Sequence, residues 1–395
     1  MLSAKSAEVI EATLPVVGGA IGEITPRFYD RLFAAHPELL RDLFNRGNQA
    51  NGTQRQALAG SIAAFASALV AHPDRRPDAM LARIAHKHVS VGITDAQYAI
   101  VHEHLFAAIV EVLGEAVTPE VAAAWDEVYW LMANALIAIE DRLRAETAAG
   151  GEGGDPADLW RPYTVVTRYQ ETDAVTTFVV RPADGRPVPA SRPGQYVSVR
   201  VRLADGAHQI RQYSLSGRAD GALRFTVKRE DGGEVSGHLH DHLHTGDTVE
   251  LAPPLGDIAL VEGDGPVLLA SAGIGNTPMT AMLDHLAASG STRRIVSVHG
   301  DRDQLSHAFR ADLEQLTAKL PDATAHVFYE RPLGDWPAGR TGLVDLSTVE
   351  VPAGTTAYLC GPLPFLRSVR QQLLTAGVRA ADIHYEVFGP DLWLV

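Results

Sequence analysis

Apolar residues over the first 148 positions recur at steps of three and four, the spacing of one face of an α-helix. Val101, Leu105, Ala108, Ile109 and Val112 form one such series; Trp125, Tyr129, Met132, Leu136, Ile139 and Leu143 form another. Ser3 and Thr94 suit helix N-caps, and Pro37 and Pro119 suit first turns, where a missing N–H is harmless. This half reads as all-α, a domain over 1–147. The pattern stops at Gly150-Gly151-Glu152-Gly153-Gly154, which cannot hold a helix, so 148–156 reads as a linker or hinge. Period-two alternation follows. Residues 176–180, 196–201 and 223–227 read as strands, and 157–262 as an antiparallel β-barrel domain. From 263 to 395 strands alternate with helices. Strands at 267–270, 295–298 and 356–359, with helices at 279–288, 309–320 and 365–374, predict a parallel α/β sheet.

Bulk properties narrow the setting. A chain of 395 residues fits two or three domains, and 46% hydrophobic content suits packed cores. A net charge of −14, with pI near 5.6, weighs against nucleic acid or anionic membrane as main partner. Local donors can still bind anionic cofactors. With Cys360 as its one cysteine, the chain forms no internal disulfide and no cysteine metal site, which fits a reducing compartment. The start carries no signal-peptide pattern, and no apolar run reaches the roughly 18–20 residues of a membrane span. A cytoplasmic protein without integral membrane contact is expected.

Candidate chemistry begins in the helical half. Leu81, Ile84, Ala85 and His88 share a helix face, while His86 points about 160° away from His88. An imidazole on an apolar stripe can ligate haem iron; taken alone, it is more often a hydrogen-bonded core histidine. Tyr29 by itself reads as a helix-packing tyrosine, and Gln54 as a surface amide. Glu140 sits at the edge of an apolar stripe and wants a partner; alone, it reads as a surface pair with Arg144 at i+4.

The second half carries phosphate- and ring-binding residue types in order. Arg211-Gln212-Tyr213-Ser214 offers a guanidinium for a pyrophosphate, an aromatic for a planar ring and a hydroxyl for a polar ring edge. Pro193-Gly194-Gln195-Tyr196 precedes it. Lys228-Arg229 and Gly232-Gly233-Glu234-Val235-Ser236 follow, the latter able to aim backbone N–H groups at phosphate. Gly273-Ile274-Gly275-Asn276-Thr277-Pro278 lies between a strand and a helix, where a dinucleotide's pyrophosphate binds, although the third glycine of the usual motif is absent. Arg302, flanked by Asp301 and Asp303, follows the next strand: the arginine suits a 2′-phosphate and the aspartates repel one, leaning to NADH.

The chain resembles the flavohaemoglobins over all 395 residues. The local matches are Phe28-Tyr29-Asp30-Arg31, Pro37-Glu38-Leu39, Asn51-Gly52-Thr53-Gln54-Arg55, Lys87-His88 and Tyr129 through Asn134. The second half resembles the ferredoxin–NADP reductase-like superfamily through the runs above, Cys360-Gly361-Pro362 and Tyr385-Glu386-Val387-Phe388-Gly389-Pro390. The resemblance implies a globin, an FAD-binding β-barrel and a nicotinamide-binding α/β domain, with haem b, FAD and NADH or NADPH as cofactors. It implies His88 as proximal iron ligand, in a hydrogen-bonded set with Tyr98 and Glu140. Phe44 packs on the haem, and Tyr29, Gln54 and Leu58 line the distal side. Tyr196, Arg211, Gln212, Tyr213, Ser214, Lys228, Gly233, Val235 and Ser236 hold FAD. The resemblance likewise implies that Gly273 through Pro278, with Cys360, Gly361 and Pro362, bind the nicotinamide cofactor, and that Val387, Phe388, Gly389 and Pro390 bind cofactor, with Phe388 covering the flavin ring.

The activity implied is nitric oxide dioxygenation, with O₂ and NO as small-molecule partners, in a monomer or weak dimer. Two alternatives compete with it. One is a haem gas sensor whose reductase resets the iron; the other is a reductase of another acceptor, such as a lipid hydroperoxide, with a lipid in the apolar distal pocket.

Overall fold

The computed structural model describes residues 2–50, 52–149 and 159–389. These form two compact units: the residues up to Leu159 with 200–211 and Gly389, and Trp160–Val199 with Gln212–Phe388.

The helical unit contains α1 (Ala4–Ala35), α2 (Pro37–Asp42), α3 (Arg46–Ala50), α4 (Thr53–Ala71), α5 (Asp78–Val91), α6 (Asp95–Leu113) and α7 (Pro119–Ala149). The expected caps are in place. The Ser3 hydroxyl accepts from the Ser6 N–H, Thr94 and Gln97 form a reciprocal capping box, and Pro37 and Pro119 open α2 and α7. Helix α1 runs through Pro15 and Pro26, each of which removes a backbone donor. Its stripe of Ile10, Val17, Ile24, Phe28 and Leu32 is buried, and α1 packs on α4, α6 and α7. Helix α5 packs on α7 and ends at Gly92, whose φ of +84° favours glycine. Of the expected linker 148–156, Ala148 and Ala149 are the last residues of α7, and residues 150–156 lie outside the described residues.

The second half opens with β1 (Arg161–Thr172), β2 (Val175–Pro182), β3 (Tyr196–Arg202), β4 (His208–Ser214), β5 (Leu223–Lys228), α8 (Glu234–His242) and β6 (Thr248–Leu251). The sheet order is β4-β3-β6-β1-β2-β5, with antiparallel β1–β2, β1–β6 and β2–β5 pairs. An antiparallel bridge from Leu215 to Phe225 returns β5 to the residue after β4, closing the sheet on itself as a barrel requires.

Next come β7 (Val267–Ala272), α9 (Asn276–Ala288), β8 (Ile295–Asp301), α10 (Arg310–Lys319), β9 (Ala323–Tyr329), β10 (Thr356–Cys360), α11 (Leu363–Thr375) and β11 (Ile383–Glu386). They form a parallel sheet in the order β11-β10-β7-β8-β9. Strand order reverses between β7 and β10, so the carboxyl ends of these two strands flank a crevice where such sheets bind ligands. The core beneath includes Val267, Leu269, Met282, Ile295, Tyr358 and Cys360. Helix α9 starts three residues before the predicted 279, so Asn276, Thr277 and Pro278 form its first turn. Proline fits there because first-turn N–H groups have no helical acceptor.

Candidate functional site

Helix α5 buries Leu81, Ala85 and Val89, while Ile84 and His88 form the neighbouring, half-buried row. The His88 side chain keeps 29% of its surface accessible. Its Nδ1 lies 2.9 Å from Glu140 Oε1 and 2.9 Å from Tyr98 Oη. The Tyr98 hydroxyl donates to the same Glu140 oxygen at 2.5 Å. Helices α5, α6 and α7 thus each supply one member of a set brought together from positions 88, 98 and 140.

The electrostatics of the set follow from burial. Glu140 is fully buried, not on the helix surface, yet Arg144 also reaches it: Nη2 lies 3.3 Å from Oε2. Oε1 faces His88 and Tyr98, and Oε2 faces Arg144, but as a buried contact rather than the surface pair expected from i+4 spacing. Burial, with the Glu140 carboxylate beside it, pushes the Tyr98 phenol well above its usual range, so it stays protonated and donates. The Tyr129 hydroxyl donates to the Tyr98 carbonyl at 2.6 Å and braces α6 against α7.

This arrangement fits haem. With Nδ1 engaged by an acceptor, Nε2 is the ring nitrogen left for a metal, and the acceptor fixes the tautomer. Tyr29 is buried, 5.9 Å edge-on to Phe44 and 5.5 Å from Phe33 in a stacked pair. Leu58 lines a small apolar cavity of about 30 Å³ with Val17, Ile24, Ile62, Ile109 and Val128. That is room for a water-sized molecule, not for a macrocycle. The Gln54 side chain, in the first turn of α4, lies outside the described residues, as does Pro390.

The β3–β4 hairpin, residues 200–211, belongs to the helical unit. Buried Gln209 donates to the Arg41 and Phe44 carbonyls at 3.1 and 3.2 Å, and the His208 N–H donates to Asp42 at 2.9 Å. The Arg211 guanidinium donates to the Ile210 carbonyl at 2.8 Å.

In the barrel, Gln212 donates to the Ser198 hydroxyl at 2.9 Å, and Tyr213 stacks parallel to Phe225 at 5.9 Å. Ser214 and Tyr196 are buried. Lys228 sits 3.5 Å from Glu230. Gly233 is the N-cap of α8, and a Cβ there would collide with the Ser236 hydroxyl. Val235 is buried in the first turn of α8, whose backbone N–H groups suit phosphate. Phe388 is 47% exposed, an apolar ring available to cover a planar ligand.

At the switch point, a Cβ on Gly275 would overlap the Cys360 carbonyl, and one on Gly361 would press on Phe365 and Ala272. The ends of β7 and β10 can approach this closely only as glycines. Ile274 follows Gly273 in the short 3₁₀ turn, and Pro362 caps α11. Asn276 donates to the Ala308 carbonyl at 2.6 Å, but its buried Oδ1 has no partner among the described residues. A ligand N–H in the crevice would satisfy it. Burial raises the Cys360 thiol well above its ordinary value, so it is a neutral thiol.

The Ile93 carbonyl, which accepts from Arg144 at 2.6 Å, and the docked Gln209 carry no signal in the sequence. No local pattern marks a backbone acceptor or a hairpin's partner.

Fold and sites together define a haem-binding globin joined to an FAD- and NAD-binding oxidoreductase. A globin family model matches residues 26–136, an oxidoreductase FAD-binding domain 189–260 and an oxidoreductase NAD-binding domain 269–371. A flavohemoprotein of Rhizobium meliloti is 42% identical over 410 aligned residues, covering 100% of both chains. One of Bordetella pertussis is 44% identical over 98% of this chain and 99% of its own. The flavohemoglobin of Malassezia yamatoensis, solved with bound FAD and heme, superposes with a TM-score of 0.90 at 36% identity, covering 98% of this chain and 100% of that one. The FAD/NAD-binding domain of a nitric oxide dioxygenase from Vibrio cholerae covers 58% of this chain and 99% of its own, with a TM-score of 0.54 and 38% identity. The chain belongs to the flavohaemoprotein family, and it is an NAD(P)H-dependent oxidoreductase that moves electrons through FAD to haem. Among the described residues, no helix is long and apolar enough to cross a membrane.

Proposed function

We propose that the protein is a nitric oxide dioxygenase, combining NO and O₂ into nitrate. The supporting observation is the buried Glu140 carboxylate shared by His88 Nδ1 and Tyr98 Oη. The naming of the Vibrio relative agrees with it. When bound, FAD would supply conversion of a hydride pair from NAD(P)H into single electrons, and haem would supply the redox centre for NO and O₂. One NO, one O₂ and one electron balance to nitrate, so each hydride serves two turnovers.

The residues divide the work, in domains bounded at 1–147, 157–262 and 263–395. His88 would hold haem iron through Nε2, because Nδ1 is engaged by Glu140. Glu140 accepts the Nδ1 proton's hydrogen bond and makes the imidazole a stronger electron donor, which favours O–O chemistry over simple O₂ carriage. Tyr98 donates to Glu140 and orients it. By the family resemblance Tyr29 and Gln54 would donate hydrogen bonds to polar reactants, Phe44 would pack on the haem, and Leu58 would help exclude water.

By the resemblance Arg211 would bind flavin phosphate, as would the backbone N–H groups opening α8, and Tyr196, Tyr213 and Ser214 would bind its ring. The turn of Gly273 to Pro278 and Cys360 would serve the nicotinamide cofactor, and Phe388 would cover the flavin. NADH is preferred. Backbone N–H groups of Ser306 and Leu305 hold the Asp303 carboxyl below its usual range, and a fixed anion opposes a 2′-phosphate.

The test is nitrate yield with NADH in aerated solution. Two nitrates per NADH are expected, and His88→Ala should abolish nitrate while NADH still reduces FAD. NADH oxidation without nitrate from wild type, or full haem occupancy in His88→Ala, contradicts the reading.

A further inference from the structure

We infer that Arg144 is a positioning residue for the iron-ligating histidine, acting through Glu140; the inference rests on the His88 assignment proposed above. Glu140 is fully buried, and its two oxygens face different donors. Oε1 accepts from His88 and Tyr98. Oε2 has one partner among the described residues, Arg144 Nη2 at 3.3 Å. Without that donor, only the contacts at Oε1 resist rotation of the carboxylate about its last bond, and a turn there disengages Oε1 from the imidazole.

Arg144 is itself held. Nη2 donates to the Ile93 carbonyl at 2.6 Å, and Nη1 lies 3.0 Å from Asp141 and 3.9 Å from Asp95. The Ile93 N–H donates at 3.0 Å to the carbonyl of His88. The contacts form a closed ring: His88 carbonyl, Ile93, Arg144, Glu140 and back to His88 Nδ1. One guanidinium therefore ties the end of α5, which sets where the imidazole starts, to the carboxylate that sets how it turns. Two of its other neighbours are carboxylates, so the planar fork is fixed by charge as well as by the backbone.

A plain brace between α7 and the α5–α6 turn would use the same contacts but leave the iron–imidazole bond unmoved. Resonance Raman of the ferrous holoprotein separates the two. Arg144→Met should shift the iron–histidine stretching band to lower frequency and broaden it, in the direction set by Glu140→Gln. NO turnover should drop about ten-fold, the lower end for outer-shell partners of a metal ligand, with KM for NADH unchanged. Arg144→Lys keeps a charge but has no second nitrogen to hold Asp141 and Asp95 while the first serves Ile93 and Glu140, and should shift the band less, in the same direction. If Arg144→Met does not fold, Arg144→Lys decides by the same band. A band at the wild-type position in the variant that folds, even with a lower melting temperature, overturns the inference. Absence of any iron–histidine band in wild type would instead overturn the His88 assignment.

Discussion

Glu140→Gln removes one charge from the centre of the proximal network and leaves its shape almost unchanged. Oε1 accepts hydrogen bonds from His88 and Tyr98, at 2.9 and 2.5 Å. Hydrogen bonds to a charged group contribute about 1.5–3 kcal/mol each, against about 0.5–1.5 for neutral pairs. Neutralising the acceptor therefore weakens the two contacts together by about 2–3 kcal/mol, which is roughly 30- to 100-fold at about 1.4 kcal/mol per decade. The amide cannot recover this by flipping. With its oxygen toward His88 and Tyr98, its NH₂ faces the Arg144 donor; reversed, the NH₂ faces two donors. The assay is NADH-driven NO consumption per haem, with NADH-to-FAD reduction measured separately. Turnover should fall 30- to 100-fold while flavin reduction holds. Turnover within two-fold of wild type, at full haem content, would refute the role of the carboxylate.

Three further predictions rest on other parts of the chain. Gly275→Ala forces a Cβ into the Cys360 carbonyl; flavin reduction by NADH should collapse at a cost of about 1–3 kcal/mol in stability, with the haem spectrum unchanged. Gln209→Ala leaves the Arg41 and Phe44 carbonyls without their donor; unfolding followed at the Soret band should show a loss of about 1–3 kcal/mol. Burial, with stacked His299 and nearby Arg310, lowers His307 to about 2. The unfolded chain binds that proton from about pH 6.5 downward and the folded chain does not, so His307 favours the fold above pH 6.5 and opposes it progressively as pH falls toward 2. The slope reaches about 1.4 kcal/mol per pH unit. His307→Gln should flatten the acid limb of stability against pH by that much in denaturant titrations at pH 4–6, and an unchanged slope would show that His307 does not titrate so.

Periodic elements were the readable part of this chain. The stripe from Leu81 to Val89 and the series from Trp125 to Leu143 announced α5 and α7, because apolar spacing is a local signal. Strands β1 and β4, at 161–172 and 208–214, were not singled out, since Arg161, Arg168, Gln209 and Gln212 interrupt their apolar runs. Those polar residues have specific partners: Arg161 with Asp184, Arg168 with the His240 carbonyl, Gln209 with Arg41 and Phe44, and Gln212 with Ser198. The i+4 pairing of Glu140 with Arg144 was visible, but its burial was not. Only the packing of α5 on α7 turns a surface pair into the back wall of an imidazole. Likewise, Gly275 read as part of a phosphate turn, whereas its contact with Cys360 spans 85 positions and depends on which strands become neighbours.

The central claim is tested most directly with a nitric oxide electrode in aerated buffer containing the haem- and FAD-loaded protein and NADH. The account predicts fast NO loss that stops when either NADH or O₂ is withheld and that accumulates nitrate. Unaccelerated NO loss, with FAD still reduced by NADH, would contradict it and leave a flavohaemoprotein whose electrons serve another acceptor.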